Sequence, residues 1–232
     1  MNANITLGIF EFVVLLFALS FHEAAHAWMA SRLGDPTARM LGRVTLNPIK
    51  HIDVFGTLLF PLIGLLTAGM MLGWAKPTPV TTRNFKHIVR DDILTTLAGP
   101  FSNLLGALMS LLVLIVIKHS GPAGYNAVGL AMEAALYHVI DPASMTGILF
   151  PIALIFYFGI FINLILLFFN LIPIPPLDGS HVIRHFLPYS ALRVYDAVGM
   201  YGIFLVFFFG GRLISPVLYS ALGLFNGALA AL

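Results

Sequence analysis

The chain contains no cysteine, which excludes disulfides and thiolate metal sites; any metal must be held by His, carboxylate or amide groups. Charge is also scarce. Only 9% of the 232 residues are Asp, Glu, Lys or Arg, against roughly 25% in a soluble domain. No basic cluster is dense enough for a nucleic-acid surface, and the net charge of +2 rests on too few groups to carry an argument. Apolar residues take the place of charge at 59% of positions. They form several runs of about 20 residues, the length that crosses a hydrocarbon core. The composition predicts an integral membrane protein.

Spanning helices are expected near residues 5–33, 93–117, 147–171, 191–209 and 213–231. The first has no basic residue before it and carries His and Glu where a signal peptide would be cleaved, so it reads as a retained helix. Two segments stay open. Residues 54–73 are long enough to span, but Gly56, Pro61, Gly64 and Gly69 interrupt them. Residues 126–140 are shorter and read as an interfacial helix. The polar stretch 74–92 contains Lys76-Pro77-Thr78-Pro79, which excludes helix and points to an extended segment around 78–82. The fold class is thus an all-α polytopic membrane protein, with about five to six transmembrane helices and a re-entrant or extended segment near 54–92. Residues 1–232 read as one domain, with a core of about 5–188 followed by a helix pair at about 191–231.

Charge asymmetry discriminates between topologies, because cytoplasmic loops collect Lys and Arg. If 54–73 spans and 126–140 does not, the basic residues divide six against six. If 54–73 enters and returns on one side, ten share that side and only Lys118 and Arg212 lie opposite. The re-entrant topology is favoured, with the N-terminus outside and residues 34–92 cytoplasmic. A topology in which both segments span divides the charges seven against five and stays open.

The chemistry starts at His22-Glu23-Ala24-Ala25-His26. H-E-x-x-H on a helix places two imidazoles one turn apart on one face, the spacing of two zinc ligands, with a carboxylate beside them. Inside a membrane helix such groups are expensive and mark function. A catalytic zinc takes three protein ligands, and Asp178 is the candidate for the third. It follows Asn170-Leu171-Ile172-Pro173-Ile174-Pro175-Pro176-Leu177, where prolines end an apolar helix, and it precedes Gly179. For the three to meet, the first helix and the 147–171 helix must run parallel, which the re-entrant topology requires and the six-against-six topology forbids. Glu23 is placed to act as general base and then general acid.

These residues resemble the site-2 protease family of intramembrane zinc metallopeptidases, most of all its compact bacterial branch without a PDZ or CBS domain. The likeness runs through the motif at 22–26, Leu46-Asn47-Pro48 with His51-Ile52-Asp53 and Gly56-Thr57, Gly73-Trp74-Ala75-Lys76-Pro77, Ala98-Gly99-Pro100 with Asn103, and 170–179. It implies zinc, one per chain, at His22, His26 and Asp178, with Glu23 catalytic. It also implies that Asn103 and Asn170 hold substrate backbone or the oxyanion. At Thr81-Thr82-Arg83 the chain departs from the Asn or Asp with Pro that relatives often carry. The implied protein is a multi-pass enzyme of the cell (inner) membrane, with its active site toward the cytoplasm and transmembrane proteins as substrates.

Other polar residues have competing readings. Glu11 lies three turns before His22 and lines a water path or snorkels to the surface. Asn163 and Asn170 share a helix face, with helix-to-helix hydrogen bonding as the plainer account. His51 and Asp53 form a supporting pair or a solvated loop, and His181 and His185 read as structural or interfacial. Gly99-Pro100 is expected to loosen its helix and turn Asn103 toward the site. The rival functions are an intramembrane metal or proton transporter, which needs a polar path across the whole bilayer, and an inactive membrane binding protein, against which the intact Glu23 argues.

Overall fold

The computed structural model describes residues 3–67, 73–138 and 147–232. The helices are α1 (Ala3–Leu33), α2 (Thr37–Met40), α3 (Phe60–Thr67), α4 (Ile88–Lys118), α5 (Pro122–Tyr137), α6 (Leu149–Asn170), α7 (Asp178–Arg184) and α8 (Tyr189–Ala231). Among the described residues there is no strand, so the extended stretch around 78–82 is single and a short 3-10 turn, Thr82–Asn84, follows it. Among the described residues four helices are long and apolar enough to cross a membrane: α1, α4, α6 and the Phe209–Ala231 part of α8.

The sequence reading differs from this at the C-terminal end. The expected pair 191–209 and 213–231 is one unbroken helix of 43 residues, roughly 64 Å long. The helix continues through Gly210, Gly211 and Pro216. Ser215 Oγ donates to the Arg212 carbonyl at 3.2 Å, the group that Pro216 leaves without its helical N–H. A small cavity lined by both Phe169 and Gly211 sets the C-terminal end of α6 beside this part of α8. Arg212 therefore lies at that end rather than at the opposite one.

α6 is the central helix. Ala153, Leu154, Tyr157, Phe158, Ile160 and Leu164 on it are almost fully buried. Lipid offers no hydrophobic drive for helix association, so close packing and interhelical hydrogen bonds must supply it. A Cβ on Gly106 of α4 would come within 2.7 Å of Asn163 Oδ1, and one on Gly159 of α6 would overlap Ser110 Oγ. These glycines bring α4 and α6 close. At the far end Tyr157 donates to Asn226 Oδ1 at 2.9 Å, and Lys118 Nζ donates to the Leu229 and Ala230 carbonyls at 2.6 and 3.2 Å. The C-termini of α4 and α8 thus meet at one end, while the C-termini of α1 and α6 meet at the other. α1 and α6 are parallel, as the site requires.

Residues 54–67 form a π-helical turn, Val54–Leu59, that runs into α3. Residues 68–72, and the 139–140 end of the expected 126–140 helix, lie outside the described residues. After this excursion the chain is back where it began: Trp74 N donates to the Gly56 carbonyl at 3.2 Å, and Thr57 Oγ1 to the Trp74 carbonyl at 2.8 Å. Gly56 and Trp74, on either side of the undescribed residues, are thus direct neighbours. Of the twelve Lys and Arg residues, only Lys118 lies at the far end of the bundle.

The first half of α8 braces the proline turn after α6. Tyr195 Oη donates to the Pro173 carbonyl at 2.8 Å, and Gly199 and Gly202 lie flat against Pro175. A Cβ on Gly202 would overlap the Pro175 carbonyl oxygen, whereas one on Gly211 would meet nothing within 4 Å. Gly202→Ala should therefore destabilise the protein by about 1–3 kcal/mol through overpacking, seen as a lower thermal unfolding midpoint in detergent. Gly211→Ala should leave that midpoint in place.

Candidate metal centre

α1 presents His22 and His26 on the face turned to α4 and α6, and both are buried. Asp178 arrives from the opposite side as the first residue of α7, after an extended Leu177. Gly179 lets the turn close, because a Cβ there would overlap the Leu171 carbonyl oxygen. His22 Nε2 and His26 Nε2 stand 3.0 Å apart, and Asp178 Oδ2 lies 3.1 Å from the first and 3.4 Å from the second. Among the described residues these three make the one group of His and carboxylate side chains spaced to hold a metal ion.

The outer nitrogens decide what this cluster can bind. The Gly159 carbonyl only accepts, so Asn163 turns Nδ2 to it at 2.8 Å. Asn163 Oδ1 then receives Asn103 Nδ2 at 2.9 Å, leaving Asn103 Oδ1 to face His22 Nδ1 at 2.5 Å. His22 must donate there, so its proton is on Nδ1 and its Nε2 carries a lone pair. His26 Nδ1 donates to the Thr95 carbonyl at 2.7 Å, with the same consequence. Two nitrogen lone pairs and a buried carboxylate oxygen with no hydrogen-bond partner therefore converge with no proton to share. Repulsion of that kind inside a protein calls for a cation. Two His and a carboxylate are a donor set that suits zinc, and the hydrogen bond on each outer nitrogen is the usual support of a metal-binding imidazole.

α4 makes room for the pair. A Cβ on Gly99 would overlap the rings of both His26 and His22. α4 runs unbroken through Pro100, so Gly99 serves as clearance for the imidazoles rather than as a loosened helix start. Glu23 sits half-buried beside the pair, with Oε2 accepting from Thr78 N at 2.7 Å and its carbonyl accepting from Thr78 Oγ1 at 3.0 Å.

The structure thus brings His22, Glu23, His26 and Asp178 together. Asn103 is fully buried, and both ends of its amide are committed to His22 and Asn163, which turns it toward the imidazole rather than toward substrate. Asn170 is half-buried and donates to the Leu166 carbonyl of its own helix at 2.9 Å. His51 and Asp53 are not paired: His51 Nε2 faces the Thr45 carbonyl at 2.9 Å, and Asp53 caps the turn at Phe55 and Gly56. His185 holds Asp92 at 2.7 Å, docking α7 on α4, and His181 is exposed. Glu11 faces His138 at 3.7 Å at the far end. Thr95 had no signal in the sequence, because it acts through its main-chain carbonyl.

Two substitutions test this geometry. Gly99→Ala should lower the zinc content of the purified protein by pushing the imidazoles apart. Asn103→Ala, which leaves His22 Nδ1 without its acceptor, should weaken zinc binding about 10–100-fold, measured by competition with a chelator.

Comparison with known proteins accords with the site. The model of peptidase family M50 matches residues 10–209. YwhC of Bacillus subtilis (strain 168), named as a zinc metalloprotease, is 38% identical over 200 residues, covering 84% of this chain and 78% of the relative. Rip2 of Mycolicibacterium smegmatis, also named as a zinc metalloprotease, is 28% identical over 201 residues, 86% of this chain and 66% of the relative. Rip2 of Mycobacterium tuberculosis is 29% identical over 174 residues, 74% of this chain and 56% of the relative. No solved structure matches the chain. With four apolar helices of spanning length and a donor set that takes zinc, the chain is a multi-pass membrane zinc metallopeptidase, and it belongs to peptidase family M50, the site-2 protease family.

Proposed function

We propose that the chain hydrolyses peptide bonds within or near transmembrane segments of other membrane proteins, from a site facing the cytoplasm in the cell (inner) membrane. The observation that carries this reading is the depth of the site: His22 and His26 lie within a helix of spanning length, as do Gly99 and Asn103 opposite them. The cytoplasmic orientation is supported by the gathering of Lys and Arg at the metal end of the bundle.

In this reading His22, His26 and Asp178 hold zinc, and Asn103 fixes the His22 tautomer. The metal, when bound, supplies a Lewis acid that polarises the scissile carbonyl and makes water nucleophilic at neutral pH. Glu23 takes the proton from the attacking water and passes it to the leaving amine. Asn170, at the end of α6 with no partner on Oδ1 among the described residues, keeps the role of substrate contact. A substrate helix must unwind first, because its carbonyls are otherwise hydrogen-bonded. The segment from Trp74 to Val80 is then its docking edge. The N–H groups of Trp74, Lys76 and Thr78 are committed to Gly56, His51 and Glu23, and Pro77 and Pro79 have none. What the segment offers is mostly carbonyls, so substrate N–H groups dock on it and substrate carbonyls are left for the metal.

In liposomes carrying a single-span peptide, Glu23→Gln should lower cleavage about 10²–10⁴-fold with zinc content unchanged; full activity would remove Glu23 from the mechanism. Asp178→Ala should lose zinc by elemental analysis, and unchanged content would remove Asp178 from the ligand set. Chelation should stop cleavage and added zinc restore it; cleavage indifferent to chelator would sink the proposal.

A further inference from the structure

We propose that Thr78 is a positioning residue whose main-chain N–H holds the Glu23 carboxylate in its working orientation, and that the buried Asp35 anchors the segment delivering it. The inference rests on the role given above to Glu23. The terminal torsion of a glutamate is broad, so an unheld carboxylate rotates freely. Here Oε2 is held by Thr78 N at 2.7 Å, and among the described residues no hydrogen bond reaches Oε1, leaving one oxygen for the reaction. Thr78 Oγ1 grips the Glu23 carbonyl as well.

Asp35 explains how Thr78 stays there. It is fully buried, and among the described residues no cation is paired with it. Four donors reach it instead. Oδ1 accepts from Thr37 N at 3.1 Å, Thr37 Oγ1 at 2.5 Å and Asn84 Nδ2 at 2.8 Å, and Oδ2 accepts from Thr81 N at 2.7 Å. Burial works against the charge, but these donors outweigh it and hold the carboxyl below its ordinary range. Gly34, at φ +114°, turns the chain so that Asp35 faces back toward Asn84, whose carbonyl lies 3.1 Å from where a Cβ at Gly34 would stand. The end of the metal-bearing helix and the extended segment are thus tied at two points, Thr78 on Glu23 and Thr81 on Asp35.

The test uses the full chain in liposomes with the same peptide. Thr78→Pro deletes the N–H at a position already extended because Pro79 follows it. Thr78→Val keeps the N–H and loses only the hydroxyl. Asp35→Asn keeps the shape but turns one accepting oxygen into a donor facing other donors. The expected result is zinc content and KM unchanged, with kcat lowered about 10–100-fold in Thr78→Pro and Asp35→Asn and lowered less in Thr78→Val. Unchanged kcat in Thr78→Pro overturns the inference. So does a raised KM at constant kcat, which makes the segment a substrate contact alone, or a loss of zinc that accompanies the loss of rate. If Glu23→Gln is inactive while Thr78→Pro is normal, only the positioning role fails; if wild-type cleavage is absent or indifferent to chelator, the protease reading fails and takes this inference with it.

Discussion

The metal centre depends on a row of hydrogen bonds with a fixed polarity. A main-chain carbonyl at Gly159 can only accept, and that fact passes through Asn163 and Asn103 to His22, which is left with its lone pair on Nε2. The Thr95 carbonyl does the same for His26 in one step. Both imidazoles therefore meet the Asp178 carboxylate as acceptors. The row works only if α4 and α6 approach closely, and Gly106 and Gly159 are the residues that allow this. In lipid, where apolar side chains gain little by touching each other, such amide contacts also help to hold the bundle together.

The proposed third ligand is placed by different means. Asp178 stands outside the spanning helices, at the end of a turn stiffened by Pro173, Pro175 and Pro176. That turn is braced by Gly199, Gly202 and Tyr195 on the first half of α8, and α7 is docked on α4 by His185 and Asp92. The long α8 thus serves two ends of the molecule. It supports the ligand turn near Pro175 and closes the far end of the bundle at Tyr157 and Lys118.

Much of this was legible in the residues, because the signals were local or periodic. The four-residue spacing of His22 and His26 needs only a helix, and the proline-rich turn before Asp178 announces itself. The fall of Lys and Arg favoured a re-entrant path for residues 54–73, and the contact of Trp74 with Gly56 accords with it. The continuity of α8 was not legible, since its 43 residues exceed the length of one span and were divided into two. Arg212 was accordingly placed at the wrong end. Gly99 looked like a flexible point because the imidazoles it clears come from another helix. Thr95 acts through a carbonyl that any residue carries, so its side chain held no clue, and Thr78 meets Glu23 through its N–H as well as its hydroxyl. Asp35 looked like any turn residue after a helix.

The central claim is that His22, His26 and Asp178 together hold one zinc ion. The most direct measurement is X-ray absorption spectroscopy at the zinc edge on the purified, zinc-loaded protein, with metal stoichiometry determined in parallel. The account predicts one zinc per chain with two imidazole nitrogens and carboxylate oxygen in its inner shell. A shell with fewer than two imidazoles, or a chain that retains no stoichiometric zinc, would contradict it.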